Sequence, residues 1–194
     1  MTRSGALLLP DRLISATELR SAALDGEVVA VGEGFLPIDM PVSALTRAAS
    51  LAPLLIDNRV VVSDRSAAWV WGWGPAPVAV TTCVAITARI PSPDRRRLRA
   101  REVVIDDDER RLLGQVAVTT PLRTLLDLAR HDPDPAVIGL LASGLRHHGI
   151  DGTEVDAEIA RRPSLSFVKL ARTRLVAALA EAEGAVPGQP LLTR

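Results

Sequence analysis

The residues best equipped for ligand chemistry in this sequence are arginines. Arg89, Arg95, Arg96, Arg97, Arg99 and Arg101 stand within thirteen positions that contain Asp94 as the one acid, a local charge of +5. Guanidinium groups at that density can hold phosphates through charge-assisted, bidentate contacts and displace counterions from a nucleic-acid backbone. The same run also reads as a solvated hairpin loop in an arginine-biased chain, since of 23 cationic residues only Lys169 is lysine. Both readings stand open on sequence. A second charged run, Asp106-Asp107-Asp108-Glu109, offers the oxygens that a hard cation wants. Contiguous side chains diverge, however, and the run reads as a solvated strand-to-helix turn with acids at a helix start.

His131, His147 and His148 are the only imidazoles. Neighbours on a helix point about 100° apart, so His147 and His148 read as the cationic end of a helix and no metal is expected. No G-x-S-x-G elbow and no G-x-x-x-x-G-K-[ST] loop occurs, and Gly32-Glu33-Gly34 is too short and too acidic to cradle phosphate. No catalytic residue and no cofactor is expected, which leaves a binding protein rather than an enzyme. Cys83, the single cysteine, lies in the apolar run from Val78 to Ile86 and reads as a buried thiol. Trp69, Trp71 and Trp73 alternate along the chain. The first two read as core, whereas Trp73, between Gly72 and Gly74, is expected at the surface as a partner-binding residue.

The elements that would position these groups announce themselves by their ends. Ser15-Ala16-Thr17-Glu18 has the form of a capping box, so a helix starts there and runs to Leu24. Asp25-Gly26, Glu27 to Val31, Gly32-Glu33-Gly34 and Phe35 to Ile38 then read as turn, strand, glycine turn and strand. Pro41 suits the first turn of a helix over about 42–51, closed by Pro53. Val60-Val61-Val62 reads as a buried strand, and Ser63 to Ser66 leads into a helix ending at Gly72. Strands are expected at Pro77 to Ile86, Arg101 to Ile105 and Gln115 to Thr119, the first two separated by the polar stretch Pro91 to Arg97. Helices follow at Pro121 to Arg130, Pro135 to His147, Thr153 to Arg161 and Leu165 to Glu183, with a frayed tail after Gly184. The pattern predicts an α+β fold: a small helix-plus-hairpin unit over 1–42, then a mixed or antiparallel sheet packed with carboxy-terminal helices over 43–194.

The whole-chain quantities set bounds on partners. With 194 residues, 47% of them hydrophobic, the chain can bury a real core without disulfides or metals. A formal net charge of zero supplies no global field toward nucleic acid or an anionic membrane, so any basic surface must be local. No stretch approaches the length of a membrane span, and the short run Ala6 to Leu9 ends at Pro10-Asp11 without a cleavage pattern. A soluble, cytoplasmic protein is expected.

Two segments carry a resemblance: Arg65-Ser66-Ala67-Ala68-Trp69-Val70-Trp71-Gly72, and Val118 to Arg130 with its Thr-Pro-x-Arg-Thr-x-x-Asp-Leu element. They resemble, in order over roughly residues 43–162, the carboxy-terminal domain of AbiEi-family antitoxins of the actinobacterial type, which belong to abortive-infection toxin–antitoxin systems. In that element Thr120 can cap, Pro121 takes the first turn, and Arg123 and Asp127 share one helical face.

The resemblance implies an amino-terminal winged helix that represses its own operon and a nucleotidyltransferase-like toxin that the antitoxin counteracts. DNA contact would then fall to Arg12, Thr17 and Arg20 and to the loop with Arg95, Arg96, Arg97, Arg99 and Arg101. The sequence departs from the pattern in one place: a full winged helix has three helices before its wing, and here a single helix precedes the hairpin. Residues 1–50 also carry four arginines against six acids, a charge of −2. DNA binding is therefore expected to be weak or non-specific. Two alternatives are a protein-interaction module without operator binding and, more remotely, a degenerate nuclease relative.

Overall fold

Local capping chemistry places the first helix, α1 (Ala16–Leu24), where the sequence announces it. Ser15 Oγ accepts the Glu18 N–H at 3.2 Å, and Glu18 returns a carboxylate oxygen to the Ser15 N–H at 2.7 Å. Gly26, at φ +78°, then turns the chain into a hairpin of β1 (Val28–Val31) and β2 (Gly34–Pro37), paired Val31 to Gly34 and Val28 to Pro37. The computed structural model describes residues 7–55, 59–86, 100–162 and 166–184. They belong to two units, Met1–Thr120 and Pro121–Arg194. The boundary drawn from sequence at residue 42 lies inside the first of these, where α2 (Ala44–Leu51) packs on β1.

In the first unit α2 begins two residues later than Pro41 suggests. The Ser43 hydroxyl accepts the Thr46 N–H at 3.1 Å, and a side-chain cap overrides proline's preference for a first turn. Pro53 does not end the helical path outright but sits in a 3-10 turn, Ala52–Leu54. The sheet runs in the order β5 (Ala100–Val103), β4 (Thr82–Ala85), β3 (Val61–Val62), β7 (Val116–Thr119), β6 (Arg110–Leu113). β3 is antiparallel to β4 and parallel to β7, so the sheet is mixed. Its central strand is two residues long, and both valines are wholly buried, as a strand covered on both faces requires.

Two further expectations change in this unit. The strand expected over Pro77 to Ile86 shortens to Thr82–Ala85. The acidic run leads not to a helix but through a 3-10 turn, Asp107–Glu109, into β6, which returns through Gly114 (φ +65°) to β7. Within the run Asp106 to Asp108 are solvated, whereas Glu109 is buried and caps the turn through the Asp106 N–H at 2.7 Å. Helix α3 (Asp64–Trp71) follows β3, and its Trp71 indole N–H donates to the Thr119 carbonyl at 2.9 Å, tying the helix to the end of β7.

The second unit is helical: α4 (Pro121–His131), α5 (Val137–His148), α6 (Gly152–Ala160) and α7 (Val168–Gly184). α7 packs against the other three, and Leu125, Leu128, Leu141, Leu145 and Leu175 are fully buried. α5 closes at Gly149 (φ +64°), and Asp151 and Glu154 form a capping box that opens α6. With the sheet and hairpin before it, this gives an α+β architecture of seven α-helices among the described residues. Among those residues no helix is long and apolar enough to cross a membrane. The expected loop Pro91 to Arg97 and the tail after Gly184 lie outside the described residues, as does Leu165, where the last helix was expected to begin.

Candidate functional site

The exposed residues nominated for binding in the first unit gather on α1 and the segment before it. Asp11 folds that segment: its carboxylate accepts the Leu13 and Ile14 N–H groups at 2.7 and 3.0 Å. The bonds from Ile14 and Leu13 hold the Asp11 carboxyl below the usual aspartate range. The Glu18 carboxyl is likewise lowered, by the Ser15 backbone N–H and then the Ser15 hydroxyl. Arg12, Thr17 and Arg20 are all exposed. Thr17 and Arg20 are three apart on α1 and therefore share a face.

Beside them the hairpin is not a free wing. The Glu33 N–H donates to the Ser50 carbonyl of α2 at 3.3 Å. Gly32, at φ +55°, lies so close to α2 and α3 that a Cβ there would sit 2.2 Å from Ser50 Oγ and 3.2 Å from the Trp69 ring. The tip is docked. Between α1 and the hairpin runs an open groove of about 700 Å³, lined mainly by apolar residues together with Arg20 and Glu33.

The arginine run divides. Arg89, Arg95, Arg96, Arg97 and Arg99 lie outside the described residues. Arg101 belongs to β5 rather than to a loop, and its Nη2 meets both Asp64 carboxylate oxygens at 2.9 and 3.2 Å. The side chains are 35% and 17% exposed, so Arg101 is held in a part-buried ion pair. Asp64 holds a left-handed backbone (φ 51°) at the start of α3 and also accepts the Ser63 hydroxyl at 2.6 Å.

Trp73 is a second correction: it is 5% exposed, not a surface anchor. Gly72, at φ +87°, closes α3 in a Schellman arrangement, its N–H bonding the Trp69 carbonyl while the Trp73 N–H bonds that of Ala68 at 2.9 Å. That geometry folds residue 73 back on the helix. The flanking glycine that suggested exposure is what turns the tryptophan inward. Gly72 also admits Arg47, whose Nη1 would lie 3.1 Å from any Cβ there, and burial lowers the Arg47 pKa.

In the second unit the distinctive Arg123/Asp127 spacing makes a buried bond, Nε to Oδ2 at 2.8 Å, with side chains 5% and 1% exposed. Sequence reasoning missed Arg130, which reaches the other Asp127 oxygen at 3.4 Å and donates through Nε to the Ser166 carbonyl at 2.9 Å. Its position three after Asp127 was the available signal. Also missed was Arg174 on α7, which donates to the Ala129 and Asp132 carbonyls at 3.2 and 2.8 Å and so caps α4. His147 and His148 end α5 as expected, their rings edge-on at 4.9 Å, and Cys83 is wholly buried. Among the described residues no group of three histidine, cysteine, aspartate or glutamate side chains is placed to hold a metal. Compared with protein families and with curated proteins, the chain matches none.

Proposed function

We propose that this chain is an antitoxin-like regulatory binding protein of the cytoplasm, which counteracts a nucleotidyltransferase-like toxin by contact and catalyses no reaction itself. The observation that carries this reading is a division of labour among its polar residues. Those of most distinctive spacing, Arg123 and Asp127, are committed to a buried bond, while Arg12, Thr17 and Arg20 stand exposed beside an apolar groove. The segments that resemble the AbiEi antitoxins fall on α3 and on the step from β7 into α4. Leu13 and Leu24, 93% and 89% exposed, add apolar surface of the kind a protein partner covers.

A specific observation favours the interaction-module reading over strong operator binding. The hairpin tip is docked on α2 through Gly32 and Glu33, so it does not project as a wing would. Nucleic-acid affinity in this reading is modest and rests on the arginine run. The test is a salt titration of binding to the gene's upstream region and to random duplex. Neutralising Arg95, Arg96 and Arg97 together should weaken both alike and flatten the salt dependence by roughly one slope unit for each phosphate no longer neutralised. A tight, sequence-selective complex untouched by the triple change would instead make α1 an operator reader.

A further inference from the structure

Around α7 the chain is free of acids. Between Glu158 and Glu181 stand Arg161, Arg162, Lys169, Arg172 and Arg174 with no carboxylate among them, a local charge of +5. Arg161 and Arg162 are bound to Glu158, and Arg174 to the carbonyls that end α4. Lys169 is exposed and has no ion-pair partner among the described residues. Arg172 meets Asp156 at 3.7 Å, with both side chains more than half exposed. Beside these two cations Phe167, Leu170 and Val176 are 62%, 41% and 61% exposed. Exposed Thr173 lies three residues from Leu170 and Val176 and four from Lys169, so all four share a helix surface, and Arg172 joins it four before Val176. It is a second face, since Ala171, Leu175 and Ala178 already turn inward to the core.

Phe167, just ahead of the helix, holds a left-handed backbone at φ +61°, a strained conformation for an aromatic residue. Its surroundings fix that geometry from both sides. Arg130 Nε donates to the Ser166 carbonyl at 2.9 Å, and the Phe167 carbonyl accepts the Ala171 N–H at 3.0 Å to open α7. Burial does not offset the strain, for the residue stays largely exposed and its ring meets the edge of His131 with centroids 5.8 Å apart.

A cover for this face must bring apolar groups and negative charge together. A lipid surface takes up a helix by its main apolar face, and that face of α7 is buried in the unit. A nucleic-acid backbone would meet the cations and leave Leu170 and Val176 uncovered. An acidic protein segment with apolar side chains answers both demands. We propose that this face of α7 docks an acidic, amphipathic segment of a partner protein, with Phe167 as the aromatic anchor and Lys169 and Arg172 meeting carboxylates. The docking goes beyond the regulatory reading and holds whether that partner is a toxin or another acidic protein.

The test is fluorescence anisotropy of a labelled leucine–glutamate peptide, its leucines at helical spacing, titrated with the full chain up to about 100 µM. The peptide should bind in the micromolar range, and the same peptide with lysine for every glutamate should bind at least roughly tenfold more weakly. Lys169→Glu should weaken binding of the acidic peptide roughly tenfold. Phe167→Gly separates docking from packing: glycine adopts a positive φ freely, so the variant should melt no lower than the wild type yet bind roughly tenfold more weakly or worse. It should leave association with random duplex DNA and with phosphatidylserine–phosphatidylcholine vesicles unchanged. Absence of peptide binding, binding that survives Lys169→Glu or Phe167→Gly, a Phe167→Gly variant that melts lower, or one that loses duplex or vesicle association would overturn the docking.

Discussion

Asp127 lies between Arg123 and Arg130 with 1% of its side chain exposed, and its two oxygens are divided between the two guanidinium groups. Taking one partner from such a group strands charge away from water, which costs more than the pair contributes when whole. Asp127→Ala and Arg123→Ala should each lower unfolding free energy by about 3–5 kcal/mol in urea denaturation. A parent-like midpoint for both variants, combined with loss of a binding partner, would make the pair functional instead. At this scale the sequence was legible where a contact follows from helical spacing, as for Arg123 and Asp127. It was opaque where backbone direction decides: Trp73 was misplaced because flanking glycines signal an open loop, whereas a left-handed Gly72 returns the chain onto α3. The Arg101 partnership with Asp64 went unseen for a related reason, because the two lie 37 positions apart and the tertiary fold brings them together.

Among the elements, those with chemical punctuation were readable. Ser15 with Glu18 announced α1, Gly72 ended α3, and Gly149 ended α5. β6 went unseen because it is an edge strand of largely exposed residues, Arg110-Arg111-Leu112-Leu113, and shows none of the alternation that a half-buried strand imprints. The two hairpin strands were read to within a residue of their bounds, but the docking on α2 was not, since that depends on a close approach of backbone to Ser50. Two glycines separate the causes. Gly26 and Gly32 both have positive φ, yet nothing lies within 4 Å of a Cβ at Gly26, while one at Gly32 would meet Ser50 Oγ at 2.2 Å. Gly26→Ala should therefore cost the backbone term alone, about 1 kcal/mol. Gly32→Ala adds overpacking and should cost roughly 2–4 kcal/mol in the same denaturation assay. Equal losses at the two positions would contradict a docked hairpin tip.

For the whole molecule, charge and composition point away from strong nucleic-acid binding, and the fold adds a helical second unit to a sheet-bearing first. Fold class was legible because caps, turns and apolar periods are local and repeated along the chain. The resemblance nominated Arg12, Thr17 and Arg20, but the groove beside them is formed between a helix and a hairpin, which no spacing encodes. The regulatory reading makes the chain a partner that silences a toxin by occupying it. The most direct measurement is growth of cells expressing a nucleotidyltransferase-like toxin from the neighbouring gene, with and without this chain at comparable levels. The account predicts that growth is restored in proportion to the amount of this protein present. Persistent arrest while the protein accumulates, folded, in the same cells would contradict it.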